Sequence, residues 1–206
     1  MLGQRHLEQE CTAGDARGCD FGEAALATAR EAAAASGDAT DGENCFEPAA
    51  SVAARLGLEP HPEGGFFKRW HALTSGPGGV RPACSSILYL LPAGCACTFH
   101  ALRDAEELWF FQEGSPLTVV ELLPEGGVRR TAVRAGAPHA VPAGSVFGAA
   151  LRAAAPGCAP WALVACTVAP AFEWASWEHP SREELRLRFP SADARAAIEE
   201  LGRADK

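Results

Sequence analysis

Within "GCACTFHALRDAEELWFFQEG", Gly94 to Gly114, a single histidine, His100, and the carboxylate pair Glu106 and Glu107 stand in a largely apolar run, and His100 and Glu107 draw attention. Those two residue types do proton chemistry together. An imidazole in a partly apolar pocket titrates near neutrality and suits proton abstraction beside a carbonyl, while a desolvated carboxyl is raised toward the role of partner acid. His100 and Glu107 therefore read as a catalytic pair, and epimerisation or isomerisation of a small, polar, carbohydrate-like metabolite is the matching reaction. Trp109, Phe111 and Phe147 are expected to wall the site. His61 and Glu63, in the turn "HPEGG", are expected near its rim, where loops gather functional residues, and His139 is a further substrate-binding candidate.

Two other readings use the same residues. His100, Glu107 and His139 form a two-histidine, one-carboxylate set that suits a single divalent ion, Fe(II), Mn(II) or Zn(II); otherwise no cofactor is required. Alternatively, the protein binds or stores a small molecule without turning it over, with Trp161, Trp174 and Trp177 as pocket or contact residues. The bland account is a buried pair in which His100 and Glu107 satisfy each other or Arg103.

Strand geometry decides which side chains can meet. Strict alternation places Thr98, His100 and Leu102 on one face and Cys95, Cys97 and Phe99 on the other. The thiols of "CACTFH" would then point away from His100 and act as buried apolar groups. On the following strand Glu107, Trp109 and Phe111 share a face.

The surrounding pattern is that of an all-β protein. Short runs rich in β-branched and aromatic residues, broken by turn signals, predict strands over Ser85–Leu91, Ala96–Ala101, Glu107–Phe111, Leu117–Leu122, Val128–Val133, Ser145–Leu151 and Trp161–Val168. No helical pattern interrupts them, which implies a sandwich or barrel. A short helix precedes them in "EPAASVAARLGL", closed by Gly57, and two follow in "SREELRLRF" and "SADARAAIEELGR", parted by Pro190. Residues 1–46 read as an acidic, flexible extension. Within it, Asp20 and Glu23 form a capping box for an Ala-rich helix that Gly37 closes. Residues 47–206 form the barrel domain with its C-terminal helices.

Composition narrows the partners. The 206-residue chain carries a formal net charge of −8, which opposes binding to phosphate backbones, so nucleic acid is not expected. Its apolar runs are shorter than the roughly 20 residues of a membrane helix. With eight cysteines and no CxxC pair, the chain reads as a protein of reduced thiols in the cytoplasm. Barrel edges need covering, which implies a homodimer.

Spacing makes the resemblance specific. Gly94, five residues, His100, then Glu107 and, after six more, Gly114 resemble the first cupin motif, with Leu102 where a second histidine belongs. "GAPHAVPAGSVF" resembles the second motif, with Phe147 in place of the remaining histidine. "LGLEPHPEGGFFKRW", "VPAGSVFGAAL" and "LVACTVAPAFEWASWEHPSREELRLRFP" extend the similarity to the Cupin_5 family, domain of unknown function 985, over Pro48 to Pro190. The resemblance implies a double-stranded β-helix, a jelly-roll barrel like that of RmlC-type cupins, flanked by short helices and usually dimeric. It supplies no reaction. Residue by residue, it matches His61 to Gly65 to the family's turn, His100 to its histidine, and Glu107 and Trp109 to its E-x-W. Arg69 replaces a common Glu.

Overall fold

The computed structural model describes residues 46–73 and 80–203; the expected N-terminal extension over residues 1–46, its Ala-rich helix included, lies outside them but for Phe46. A helix α1 (Ala49–Leu56) opens the described chain, closed by Gly57 in the left-handed conformation. Eleven strands follow: β1 (Glu59–Pro60), β2 (Phe66–Ala72), β3 (Ser85–Pro92), β4 (Cys95–Leu102), β5 (Glu106–Gly114), β6 (Leu117–Leu122), β7 (Val128–Val133), β8 (His139–Val141), β9 (Val146–Leu151), β10 (Trp161–Ala169) and β11 (Trp177–Glu178). Helices α2 (Arg182–Arg188) and α3 (Ala192–Leu201) end it. Ser181 and Glu184 cap α2 reciprocally, and Ser191 caps α3.

The strands form two antiparallel sheets, β1-β2-β3-β10-β5-β8 and β11-β4-β9-β6-β7. This is a double-stranded β-helix, and every expected strand is present within two residues at its start and three at its end. Between the sheets lie Leu91, Val119, Phe147, Ala149, Val164 and their neighbours, all buried. The outward side of the smaller sheet is also buried, because Phe99, Val120 and Val146 pack beneath Leu185, Ile198 and Leu201 of α2 and α3. The outward side of the larger sheet meets α1 through Leu90, Leu163, Trp161 and Val52. Strands covered on both faces read as apolar runs rather than alternating ones, which accounts for "VFGAAL" in β9.

Alternation fails within β4, as it does where β2 pairs with β3 after Arg69 and where β10 pairs with β5, and the site depends on the break in β4. The pairing of β4 with β9 slips between Cys97 and His100, a β-bulge that inserts one extra residue. Cys95 and Cys97 face the space between the sheets while Phe99 and Ala101 face the helices. After the slip His100 returns to the same inward side as Cys97. The expected separation of thiol and imidazole is thereby overturned. Gly148 of β9 makes room: a Cβ there would stand 2.6 Å from the Cys97 carbonyl oxygen. Cys84, Cys97, Cys158 and Cys166 are free thiols, as expected, whereas Cys95 is disulfide-bonded.

Candidate functional site

The turn that follows β1 reaches across one end of the barrel. His61 N–H bonds the Gly65 carbonyl, and Gly64 N–H bonds the His61 carbonyl. Gly64, at φ 106°, lets the backbone settle on β4, where a Cβ would lie 2.2 Å from the Ala96 carbonyl oxygen. The turn is pinned by Thr98 N–H donating to the Glu63 carbonyl at 2.8 Å and by the Tyr89 hydroxyl donating to the Gly64 carbonyl at 2.7 Å. Glu63 is thereby carried from a surface turn into the interior, where it is 5% exposed.

Its carboxylate is the hub of the site. Oε2 accepts from the Cys97 thiol at 3.3 Å and lies 3.2 Å from His100 Nδ1, while Oε1 accepts from the Trp177 indole N–H. Nδ1 of His100 also lies 2.9 Å from the Thr98 carbonyl oxygen. A carbonyl can only accept, so Nδ1 carries a proton and Nε2 is left facing Glu107, whose Oε2 is 4.0 Å away. Burial works against a charged His100, but Glu63, with Cys97 and Glu107, outweighs it and holds the imidazole well above its usual range. Burial likewise works against a charged Glu63, and His100, His61 and the Trp177 N–H outweigh it, so its pKa is lowered. The Cys97 thiol is pushed up to about 12 by burial and by Glu63. His61 is lowered by burial, and its Nδ1 accepts from the Glu63 backbone N–H at 3.3 Å.

These groups open on a cavity at the barrel's end. His61, Glu63, His100, Glu107 and Trp109 all line it. Sequence reading missed Cys97 as a neighbour of His100 because it assumed strict alternation. Trp177, considered there only as a pocket or contact residue, is the donor that completes Glu63.

Three expected residues are elsewhere. Phe147 is not on the lining; it is directly opposite His100 across the β4–β9 pair and backs the imidazole, ring centroids 4.2 Å apart. Phe111 packs against the core. His139 is opposite Trp109 on the β5–β8 pair, but its Nε2 lies 2.9 Å from Glu121 Oε2, and Arg129 Nε donates to that oxygen at 2.8 Å. His139 is thus gathered into a second cluster, apart from His100 and Glu107. Arg103 is likewise spent elsewhere, on Glu178 and the Ala175 carbonyl.

Among the described residues, Glu63, Cys97 and His100 are the group able to hold a metal ion, their donor atoms all lying within 4.8 Å of one another. The donors fit in number and type. Loading them means displacing the protons that now link Cys97 and His100 to Glu63, which a cation's charge favours.

Two layers of likeness fix the class. The two sheets and their connections define a cupin-type double-stranded β-helix. The chain belongs to the Cupin_5 family of the cupin superfamily (DUF985), whose profile matches residues 50–179. A crystal structure of a protein from Shewanella oneidensis is similar at 30% identity, with a TM-score of 0.69, over 78% of this chain and 100% of that one. A hypothetical protein from Leishmania major is similar at 26% identity and TM-score 0.66, over 76% and 99% of the two chains. No curated protein matches.

Proposed function

We propose that the cavity binds a small, polar, carbohydrate-like metabolite and that His100 and Glu107 move protons on it in an isomerase- or epimerase-like reaction. The observation that carries this reading is His100 Nε2 facing Glu107 Oε2 at 4.0 Å on the wall of a cavity. Groups so close address neighbouring atoms of one substrate, a carbonyl oxygen and the carbon beside it. Because Glu63 favours the imidazolium, His100 is the proton donor and Glu107 the acceptor, the reverse of the assignment that an unpaired imidazole suggests. Glu107 takes the proton from carbon and His100 Nε2–H protonates the carbonyl oxygen; the resulting enediol collapses as Glu107 returns its proton to the neighbouring carbon or the opposite face and an enediol hydroxyl gives its proton back to His100 Nε2. Trp109 and Trp177 supply apolar wall.

The test begins with thermal stabilisation by a metabolite collection, followed by incubation of each stabilising compound in deuterated buffer. Wild-type protein is expected to wash deuterium into the compound, and Glu107→Gln to bind without exchange. Stabilisation without exchange in the wild type would leave a binding protein and no enzyme.

A second reading rests on the proximity of Glu63, Cys97 and His100. Those three residues, not His100 with Glu107 and His139, would hold a divalent ion, whose chemistry when bound is to polarise a ligand oxygen. Elemental analysis of protein purified without a histidine tag decides: a stoichiometric metal lost in Cys97→Ala supports this version, and none in the wild type rejects it.

A further inference from the structure

Two polar groups on the cavity wall have no partner among the described residues, and both are donors. The first is the Trp109 indole. Trp109 lines the cavity and is 1% exposed, yet its Nε1–H has no acceptor. A buried N–H left unpaired costs about 1–3 kcal/mol, so an acceptor atom brought by a ligand would be stabilised there.

The second is Arg69. Side chains of β2 alternate, with Phe67 and Arg69 on the cavity side and Lys68 on the other, where its Nζ donates to the Leu56 carbonyl. Arg69 is therefore a solvent-exposed cation on the cavity's lining, at its mouth, with no ion-pair or hydrogen-bond partner among the described residues. Nearby arginines are used differently. Arg81 donates to the Ala171 carbonyl at 2.6 Å and pairs with Asp104, and Arg103 donates to the Ala175 carbonyl, both holding the segment that carries Phe172, Trp174 and Trp177. The acids on the wall do not answer Arg69 either, since Glu63 is committed to His100 and Glu107 faces His100.

The resulting polarity runs along the cavity. Its mouth offers a guanidinium, whose planar fork suits a carboxylate or phosphate, and its interior offers carboxyl groups that repel one. We propose that the metabolite carries an oxyanion, carboxylate or phosphate, bound by Arg69 at the mouth, with an uncharged oxygen deeper in accepting from Trp109 Nε1–H. This arrangement fixes the direction of entry: the anion stays outermost and the neutral end reaches His100 and Glu107. The inference rests on the reading that the cavity holds a small polar metabolite.

Trp109, Trp174 and Trp177 line the cavity, so tryptophan fluorescence reports on its occupancy. Wild-type protein is titrated with neutral sugars and polyols, with the corresponding sugar acids and with their phosphate monoesters. One anionic series is expected to bind at least tenfold more tightly than the neutral one, and which series does so names the oxyanion. Arg69→Ala should weaken that series by about 10- to 100-fold and leave neutral compounds unchanged, with Arg69→Lys recovering part of the loss. Trp109→Phe should weaken anionic and neutral ligands alike. Equal affinity for neutral and anionic compounds, or an Arg69→Ala protein that binds the anions as the wild type does, overturns the anion assignment while metabolite binding survives. Failure of every compound in all three series to bind overturns both.

Discussion

The carboxylate of Glu63 lies 3.2 Å from Nδ1 of His100, although one residue belongs to a surface turn and the other to the middle of a buried strand. Glu63 is 5% and His100 3% exposed, so both charges are largely withdrawn from bulk water, and each is kept by the other. The pair therefore couples the docking of the turn to the protonation of the imidazole.

Stability should consequently pass through a plateau in pH. His100 has a folded-state pKa raised above its ordinary 6.5, so its contribution is complete below 6.5 and is lost as pH climbs through the raised value. Glu63 has a folded-state pKa lowered below its ordinary 4.5, so its contribution is complete above 4.5 and is lost as pH falls through the lowered value. Urea unfolding across pH should show both contributions intact between 4.5 and 6.5 and a decline on either side. In Glu63→Gln the acid limb should flatten and the alkaline decline should weaken. An unchanged profile in that variant would remove the pair from the energetics.

Gly148 is expected to be irreplaceable. A methyl group there would lie 2.6 Å from the Cys97 carbonyl oxygen and 3.3 Å from the Phe99 backbone nitrogen, both parts of β4 rather than flexible tips. Gly148→Ala should cost about 1–3 kcal/mol, the usual range for overpacking, and should shift His100 away from Glu63. Chemical denaturation gives the first quantity. The His100 imidazole resonances, titrated by NMR, give the second, with a midpoint moving down toward the ordinary value.

The free thiols should divide by exposure. Cys97 and Cys166 are buried, and burial pushes both above the usual thiol range, Cys97 to about 12. Cys84 and Cys158 are partly exposed. Iodoacetamide at mildly alkaline pH should label Cys84 and Cys158 within minutes and reach Cys97 and Cys166 only after unfolding, since the thiolate is the nucleophile. Peptide mass spectrometry reads the order, and early labelling of Cys97 would mean that its proton is not held as described.

Much of this architecture was legible because strands announce themselves locally. Runs such as "LTVVEL" and "VRRTAV" stop where turn residues start, and β6 and β7 begin and end at the expected residues. The HPEGG turn was legible as a rim loop, but its reach was not: carrying Glu63 onto β4 depends on the Thr98 and Tyr89 hydrogen bonds, which join residues far apart in sequence. Cys97 was misplaced for a different reason. Alternation is a local rule, and a bulge breaks it through the partner strand. A signal existed in Gly148, since a glycine inside a strand often marks a bulge or a close backbone approach. The contact of His139 with Glu121 was not legible, because the spacing of the second motif says nothing of the buried carboxylate on β6.

That last cluster gives the sharpest separation of roles. Glu121 is 1% exposed and its pKa is lowered: burial opposes its charge, and Arg129 and His139 outweigh burial. Phe147 is opposite both Glu121 on β6 and His100 on β4, so an aromatic ring stands between the two polar groups. Glu121→Ala strands a cation against the barrel wall and should cost about 3 kcal/mol, near the low end for breaking a buried pair because Arg129 is half exposed and can rehydrate. His139→Gln keeps one donor to Glu121 and should cost less than about 1.5 kcal/mol. Neither change touches Glu63, His100 or Glu107, so His139→Gln should leave metal content, ligand affinity and any deuterium exchange as in the wild type. Loss of a bound metal in His139→Gln would instead restore His139 to a shared site with His100 and would refute the division into two clusters.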